Sequence, residues 1–350
     1  MPFVRYTEFS MACFPRPAIQ ILLGVCVICI GLLVSMEALH AAALQIAETD
    51  ATLTVSSGDQ IVLVYNKQSP PLPRGMNPDY RRSAFLHPVN TPLGKTVTDT
   101  FPKDHPHQHG IFSAWVKTTY GDREIDFWNL AGKAGTVVHE RVVSTFGKDG
   151  NVGFEVDMLH RALEPQSVDI LRQRWRVTVY EPKDNSFCFD IESTQEALTD
   201  TPLVIQKYHY GGMALRGASR WLSKKDKDQE NDQELILEPS SFMNNFGQDR
   251  IAGNHVPSTW IALTGTMDQK DASIAVLGHP QNFRAPQPAR LHGTKPYFCF
   301  TPCVNESFEI SKSKPLHERY RYLLTDAPPD ADWIEEKWQL YAKQIVSRRR

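Results

Sequence analysis

The sequence is short of charge imbalance. Its 38 lysines and arginines stand against 40 aspartates and glutamates, a net charge of −2, and no basic stripe runs along any expected element. That balance speaks against a nucleic-acid partner, whose phosphates call for a basic face. Cysteine is scarce as well, with six in 350 residues. Cys13, Cys26 and Cys29 fall in an N-terminal apolar stretch. Cys188, Cys299 and Cys303 contain no C-x-x-C pair, which argues against a structural zinc site. An odd number of thiols in an oxidising compartment allows at most one internal disulfide. In an extended segment Cys299 and Cys303 would stand about 13 Å apart, beyond disulfide reach. Pro302 could fold that segment back, so their pairing stays open. Beyond residue 43 no apolar run is long enough for a transmembrane helix, and no internal repeat of solenoid type is present.

The long apolar run that does exist reads as an address. Arg16 precedes AIQILLGVCVICIGLLV, residues 18–34, and Ala41, Ala42 and Ala43 follow it. A basic flank, an apolar core and small residues together describe a secretory signal peptide. The expectation is a signal over residues 1–43, cleavage after Ala43, and a periplasmic or secreted mature chain over 44–350. The alternative is an uncleaved anchor, for which about sixteen apolar residues fall just short of a comfortable span. No stable membrane insertion is expected once the signal is removed.

The rest of the chain alternates with period two. TLTVSSGDQIVLVYN, residues 52–66, is two such runs around Ser-Gly-Asp, a hairpin signal. In RQRWRVTVY, Trp175, Val177 and Val179 share one face while Arg174, Arg176 and Thr178 share the other. Antiparallel sheets with one wet face alternate in this way. TWIALTG, ASIAVLG, KPYFCF, ESFEI and ERYRYLLT continue the pattern to residue 325. Only the tail looks helical: DADWIEEKWQLYAKQI offers Asp332 as N-cap with Glu335 three residues on. Trp333, Ile334, Trp338 and Tyr341 form its apolar stripe, expected to pack as a lid on the sheets. SKKDKDQENDQE, residues 223–234, reads as a solvated loop. The fold class expected is therefore all-β, a single large antiparallel β-sandwich over 44–350 with a short C-terminal helix.

One stretch concentrates chemistry. FPKDHPHQHG, residues 101–110, holds His105, His107 and His109, a quarter of the twelve histidines. If the segment is extended, the three imidazoles share a face at steps of about 6.6 Å. Three readings compete: a metal site at His105 and His107 with a further ligand, the polar rim of a ligand pocket, and a structural corner bonded to backbone carbonyls. Asp104 is placed to orient an imidazole. Downstream, Trp115, Glu124, Asp126, Trp128 and Asn129 mix aromatic faces with carboxylate and amide groups, which suits a sugar. For either tryptophan, ordinary core packing is an equal alternative. KYHYGGMALRG places Tyr208, His209 and Tyr210 before a glycine pair, with Arg216 after it. GHPQNFRAPQPARLHGTKPYF is too rich in proline for an inner strand and keeps His279, Asn282, Arg284 and Arg290.

These stretches, together with RSAFLHPVNTPLGKTVTDTFPKDHPHQHGIFSAW and RYRYLL, follow in the order of one family. Over roughly residues 60–325 the chain is similar to the secreted bacterial proteins that carry the label methane oxygenase PmoA. Where that family resemblance implies Lys or Arg, this chain has His109, which weakens a three-histidine metal site. A particulate methane oxygenase subunit must cross the membrane repeatedly, and the mature chain has no run for one crossing helix. The order of elements also resembles galactose-mutarotase-like supersandwich proteins. That second resemblance implies an early His-Gly loop at His107 or His109, a mid-chain His209, and a late carboxylate such as Glu306 or Glu318.

Two functional classes lead. One is an enzyme using general acid–base chemistry on a sugar or glycoside, with His107 and His209 as acid and base and His105 beside them. Epimerase, lyase and hydrolase chemistry are not separated by sequence. The other is a carbohydrate-binding protein with the same cleft and no proton transfer. Asp104, His109, Trp115, Asp126, Trp128, Tyr208, Arg216, His279, Asn282 and Arg284 are the expected sugar-binding residues, with His109 as a substrate-tuning position tolerant of Lys. No cofactor is expected, and a metal-dependent oxygenase site at His105 and His107 is the third reading.

Overall fold

A computed structural model describes residues 43–222 and 240–344. The expected signal segment up to residue 42 and the charged run 223–234 lie outside the described residues. The described residues belong to one compact unit over 41–350.

The chain opens with β1 (Leu44–Glu48), β2 (Thr52–Ser57) and β3 (Gln60–Asn66). The β2–β3 hairpin turns at the expected Ser-Gly-Asp, where Gly58 takes a positive φ. β4 (Phe85–Val89) and β5 (Ile111–Ala114) follow, then β6 (Thr118–Tyr120) and β7 (Arg123–Ile125). Four long strands come next: β8 (Gly135–Lys148), β9 (Asn151–Ala162), β10 (Val168–Val179) and β11 (Ser186–Ala197). β12 (Leu203–Ile205), β13 (Gly212–Arg216) and β14 (Ser241–Asn244) lead to β15 (Trp260–Met267) and β16 (Lys270–Gly278). The last strands are β17 (Ala289–Leu291), β18 (Tyr297–Phe300), β19 (Phe308–Ile310) and β20 (Leu316–Thr325). Helix α1 (Ala331–Ala342) closes the described chain.

Among the described residues these strands form two eight-stranded sheets and one of four. The first runs β1-β2-β3-β4-β5-β13-β18-β17, and the second β14-β15-β16-β20-β11-β10-β9-β8. The pairings within them are antiparallel. Three contacts show the two sheets facing each other. Phe300 stacks on Tyr320 with ring centroids 5.2 Å apart, Tyr65 meets Phe154 at 5.7 Å, and Trp115 Nε1 donates to Gln195 Oε1 at 2.8 Å. Trp175, Val177 and Val179 are fully buried in this interior, as their alternation requires.

Helix α1 forms where the stripe places it, with a different cap. The Asp330 carboxylate, not that of Asp332, accepts the Trp333 N–H at 3.0 Å. Ile334 and Tyr341 bury their side chains, and Trp338 Nε1 donates to the Gly278 carbonyl at 3.0 Å. The helix is thus fastened to the end of β16. No helix among the described residues is long and apolar enough to cross a membrane. Cys188, Cys299 and Cys303 are all free thiols.

Candidate functional site

Pairing register decides which residues of the first sheet face away from the sandwich. Residues opposite each other in an antiparallel pair share a face, and successive residues alternate. Phe298 and Phe300 touch Phe242 and Tyr320 of the second sheet, so they point inward. Tyr297 and Cys299 therefore point outward. With them go their partners Arg216, Ala214 and Arg290, and Phe112, which pairs with Ala214. This outer face is covered by the loop 101–110, and there the candidate site is built.

The loop is not extended. His105 N–H donates to the Pro102 carbonyl at 3.1 Å and Gln108 N–H to the His105 carbonyl at 2.9 Å, two successive turns. The expected common face for three imidazoles is lost as a result. His105 and His107 stay together at the rim, with centroids 5.6 Å apart. His109 turns into the core between Phe85, Phe101 and Phe112, fully buried, its Nδ1 on the Thr100 hydroxyl at 2.9 Å. Burial, then the Arg82 charge, keeps its pKa well below the usual value. It is a core histidine, and the expectation of a substrate-tuning position at 109 is corrected. Gly110 follows with φ +45°, where a Cβ would stand 2.0 Å from the Leu86 carbonyl oxygen. Only glycine passes this point into β5.

Asp104 is the anchor of the rim. Arg216, fully buried at the end of β13, donates to both of its oxygens at 2.7 and 2.9 Å. A third bond runs from Arg216 Nη1 to Gln108 Oε1 at 3.0 Å. Burial works against the Asp104 charge, but the bonds from His105 and Arg216 outweigh it and hold the carboxyl well below the ordinary range. An ionised carboxylate only accepts, so His105 Nδ1, 2.9 Å from Asp104 Oδ2, must donate. In the neutral imidazole this bond fixes the tautomer, with the lone pair on Nε2. His107 is pushed down to about 4 by burial, then by the charges of His105, Arg216 and Arg82. It is neutral near pH 7.

His292, from the turn between β17 and β18, completes the group at 5.9 Å from His105. Burial, then Arg290, brings its pKa to about 4. Ring contacts continue from His292 to Tyr297, Trp128, Tyr210 and Tyr208 at 6.3, 5.9, 5.3 and 5.1 Å. At the far end His209 is exposed against Tyr208 and Tyr210. Gly212, φ +104°, has no room for a side chain, since a Cβ would lie 2.6 Å from the Phe300 carbonyl oxygen.

The remaining expected residues divide. Trp115 and Trp128 are fully buried and offer no open face to a ligand, so they are core rather than stacking platforms. Asp126 accepts from the Trp128 and Asn129 N–H groups and from the Asn129 amide at 2.7, 2.9 and 2.6 Å, which makes it a turn cap. His279, Asn282 and Arg284 stand on another surface, by α1 and β19. Asn282 bonds both backbone groups of Arg319, and Arg284 donates to the carbonyls of Pro302, Glu306 and Ser307. A cavity of about 150 Å³ there is lined by His279, Asn282, Gln287, Phe300 and Trp338 among others, and shares no lining residue with the histidine rim. Of the late carboxylates, Glu318 is buried on Gln287 and Tyr320, and Glu306 pairs with Arg284. Neither joins the rim. Sequence reasoning missed His292 and Tyr297, although both lie in the LHGTKPYF stretch that ends a quoted motif. Among the described residues no three His, Cys, Asp or Glu groups gather at metal-binding spacing.

The sequence pattern of the family described as "Family of unknown function (DUF6807)" matches residues 52–339, and the chain belongs to that family. No curated protein matches the sequence. Solved structures with some likeness include a protein assigned as a kojibiose phosphorylase from the human microbiome, at 10% identity and TM-score 0.35 over 88% of this chain and 34% of that one. Another is the Slr1438 protein from Synechocystis sp. PCC 6803, at 11% identity and TM-score 0.33 over 81% and 96% of the two chains. A third is the α-N-acetylgalactosaminidase NagBb from Bifidobacterium bifidum, at 13% identity and TM-score 0.30 over 85% and 37%. The chain spans about a third of the length of the first and third. A likeness at this level carries no argument.

Proposed function

We propose that this member of the DUF6807 family is an exported carbohydrate-active protein that works by general acid–base chemistry at the outer face of its first sheet. The observation that carries the reading is the Arg216–Asp104–His105 chain. A buried guanidinium fixes a carboxylate, the carboxylate fixes an imidazole tautomer, and the imidazole presents Nε2 at a rim where its side chain is 31% exposed. A nitrogen held in this way can take a proton from a sugar hydroxyl or ring carbon and return it. His107, neutral beside it, serves as a hydrogen-bonding partner rather than as the acid. The roles expected for His107 and His209 thus pass to His105, with His107 as its companion. Tyr208 and Tyr210, half-buried at the rim, supply the aromatic faces a pyranose needs.

The test is nuclear magnetic resonance on the histidine side chains during titration with hexoses, uronates and methyl glycosides, with sugar conversion followed in the same tubes. The expected result is that a sugar shifts the His105 and His107 resonances, and that His105→Ala abolishes any conversion while costing about 1 kcal/mol of stability or less. A panel that leaves both imidazoles unmoved overturns the reading.

A further inference from the structure

The outer face around the histidines has more donors than acceptors. Arg216 Nε, Trp128 Nε1, and Arg82 Nε and Nη1 are buried with no hydrogen-bond partner. All are donors that cannot accept. Arg82 and Trp128 both pack on Phe112, at 4.8 and 4.7 Å from its ring centre, so these donors belong to one neighbourhood. The carboxylate at its centre is already engaged: Asp104 takes two bonds from Arg216 and one from His105, with Lys295 Nζ 4.0 Å away.

Arg290 is the cation this arrangement leaves available. It sits on β17 opposite Cys299, on the same face as Arg216 and Tyr297. Its Nη1 donates to Asn254 Oδ1 at 3.1 Å and to the Leu291 carbonyl at 3.2 Å. Within the described residues it has no carboxylate partner, and its Nε and Nη2 make no hydrogen bond. It lies close enough to His209 on one side and His292 on the other for its charge, after burial, to lower both imidazoles. A planar guanidinium with one edge anchored and the other open is suited to a carboxylate.

We infer that the ligand is an acidic sugar, a uronic acid residue, whose carboxylate binds Arg290 while its ring lies towards His105 and His107. This rests on the carbohydrate reading above and narrows it to an anionic, acceptor-rich substrate. A neutral hexose leaves the Arg290 guanidinium without an opposite charge, whereas a carboxylate matches its open edge.

Calorimetric titration at about 50 mM salt compares D-glucuronate, D-galacturonate and D-mannuronate with glucose, galactose and mannose. The expected outcome is that the fitting uronate binds the wild-type protein at least about tenfold more tightly than its hexose. Arg290→Gln should erase that difference, Arg290→Lys should restore part of it, and His105→Gln should leave it in place. Equal binding of a uronate and its hexose overturns the inference and leaves the carbohydrate reading standing. A preference that survives in Arg290→Gln overturns the assignment to Arg290. If none of the six sugars binds, both readings fall. The wild-type comparison needs no variant, so it stands even if Arg290→Gln does not fold.

Discussion

Two loops of this protein are written in nearly the same residues and do different work. Residues 101–110 and 279–288 are both rich in proline, and both carry histidine and either bear or hold an arginine. In the second loop every recognition-type side chain is used on the protein itself. Asn282 clamps the Arg319 backbone at 2.7 and 2.9 Å, Arg284 gathers three carbonyls, and His279 accepts from Gln281 N–H and packs on Tyr341. That is a structural corner. In the first loop Asp104 is held from below by Arg216, and His105 and His107 are left half-exposed above it. The lesson is that composition does not separate a corner from a rim. What separates them is whether the polar groups are consumed by backbone or held with one end open.

The sharpest way to break the comparison lies inside the first loop, because His109 behaves as the second loop does. His109→Lys would place a cation among Phe85, Phe101 and Phe112 with only Thr100 for a partner. An unpaired buried charge is among the few single changes worth about 4 kcal/mol or more. The expected outcome is a variant that denatures at much lower urea or fails to accumulate folded. A folded His109→Lys protein of wild-type stability would show that position 109 opens to solvent and belongs to the rim.

The second loop should respond next most strongly. Asn282→Ala removes two bonds and leaves the Arg319 N–H without its partner, while the Arg319 carbonyl keeps the His279 N–H at 3.2 Å. A stranded backbone donor costs about 1–3 kcal/mol, so a loss of about 1–3 kcal/mol is expected in denaturant titration. The ligand response of His105 and His107 should be unchanged. If Asn282→Ala abolished that response at unchanged stability, the second loop would be a site and the contrast would fail.

How much of this was legible in the sequence follows from what each feature depends on. The strands were legible because their burial is local: Trp175, Val177 and Val179 alternate with arginines, and the sheet uses that alternation directly. The helix was legible from its stripe, while its cap slipped from Asp332 to Asp330 because both residues offer the same side chain two positions apart. The rim was half legible. Asp104, His105 and His107 lie together in sequence, but the Arg216 that fixes them arrives across 112 residues. His292 comes from a hairpin on the far side of the sheet. The burial of His109 was hidden for a related reason. A turn between Pro102 and Gln108 changes which residues face inward, and no period marks it.

Acid should test the burial of the histidines at and around the rim. His87, His107 and His292 are brought to about 4 in the folded protein, each chiefly by burial, against an unfolded value near 6.5. The folded state therefore binds fewer protons than the unfolded chain between these limits. Their stabilising contribution is complete above about pH 6.5 and is lost as pH falls towards 4. A fully neutral imidazole contributes a slope of up to about 1.4 kcal/mol per pH unit in that window, and partial exposure brings His107 to roughly 1. Melting temperatures at pH 7, 6 and 5 should fall for the wild type and fall less steeply for His107→Gln. Parallel curves for the two proteins would show that His107 is solvated and outside the low-dielectric rim.

The smallest expected effect concerns His209, and it sharpens the boundary of the rim itself. By chain order His209 is a natural partner for His107 in acid–base chemistry. In space it is exposed, its ring lies 4.3 and 4.7 Å from those of Tyr208 and Tyr210, and its carbonyl accepts from His255 Nε2 at 2.8 Å. Between it and His105 stand Tyr210, Trp128, Tyr297 and His292, each in ring contact with the next. Removing an exposed ring at the end of that series takes away little packing, so His209→Ala should change stability by no more than about 0.5 kcal/mol. It should leave the titration of His105 and His107 where it was, because His209 is not among the charges that act on His107 and His105 is held by Asp104. The measurement is a pair of histidine titration series, wild type and variant, recorded over the same pH range. Should His209→Ala move the His105 titration, or silence the sugar response as completely as His105→Ala does, the proton-transfer pair would span the aromatic arc. Tyr208 and His209 would then belong to the reacting end of the site rather than to its outer wall.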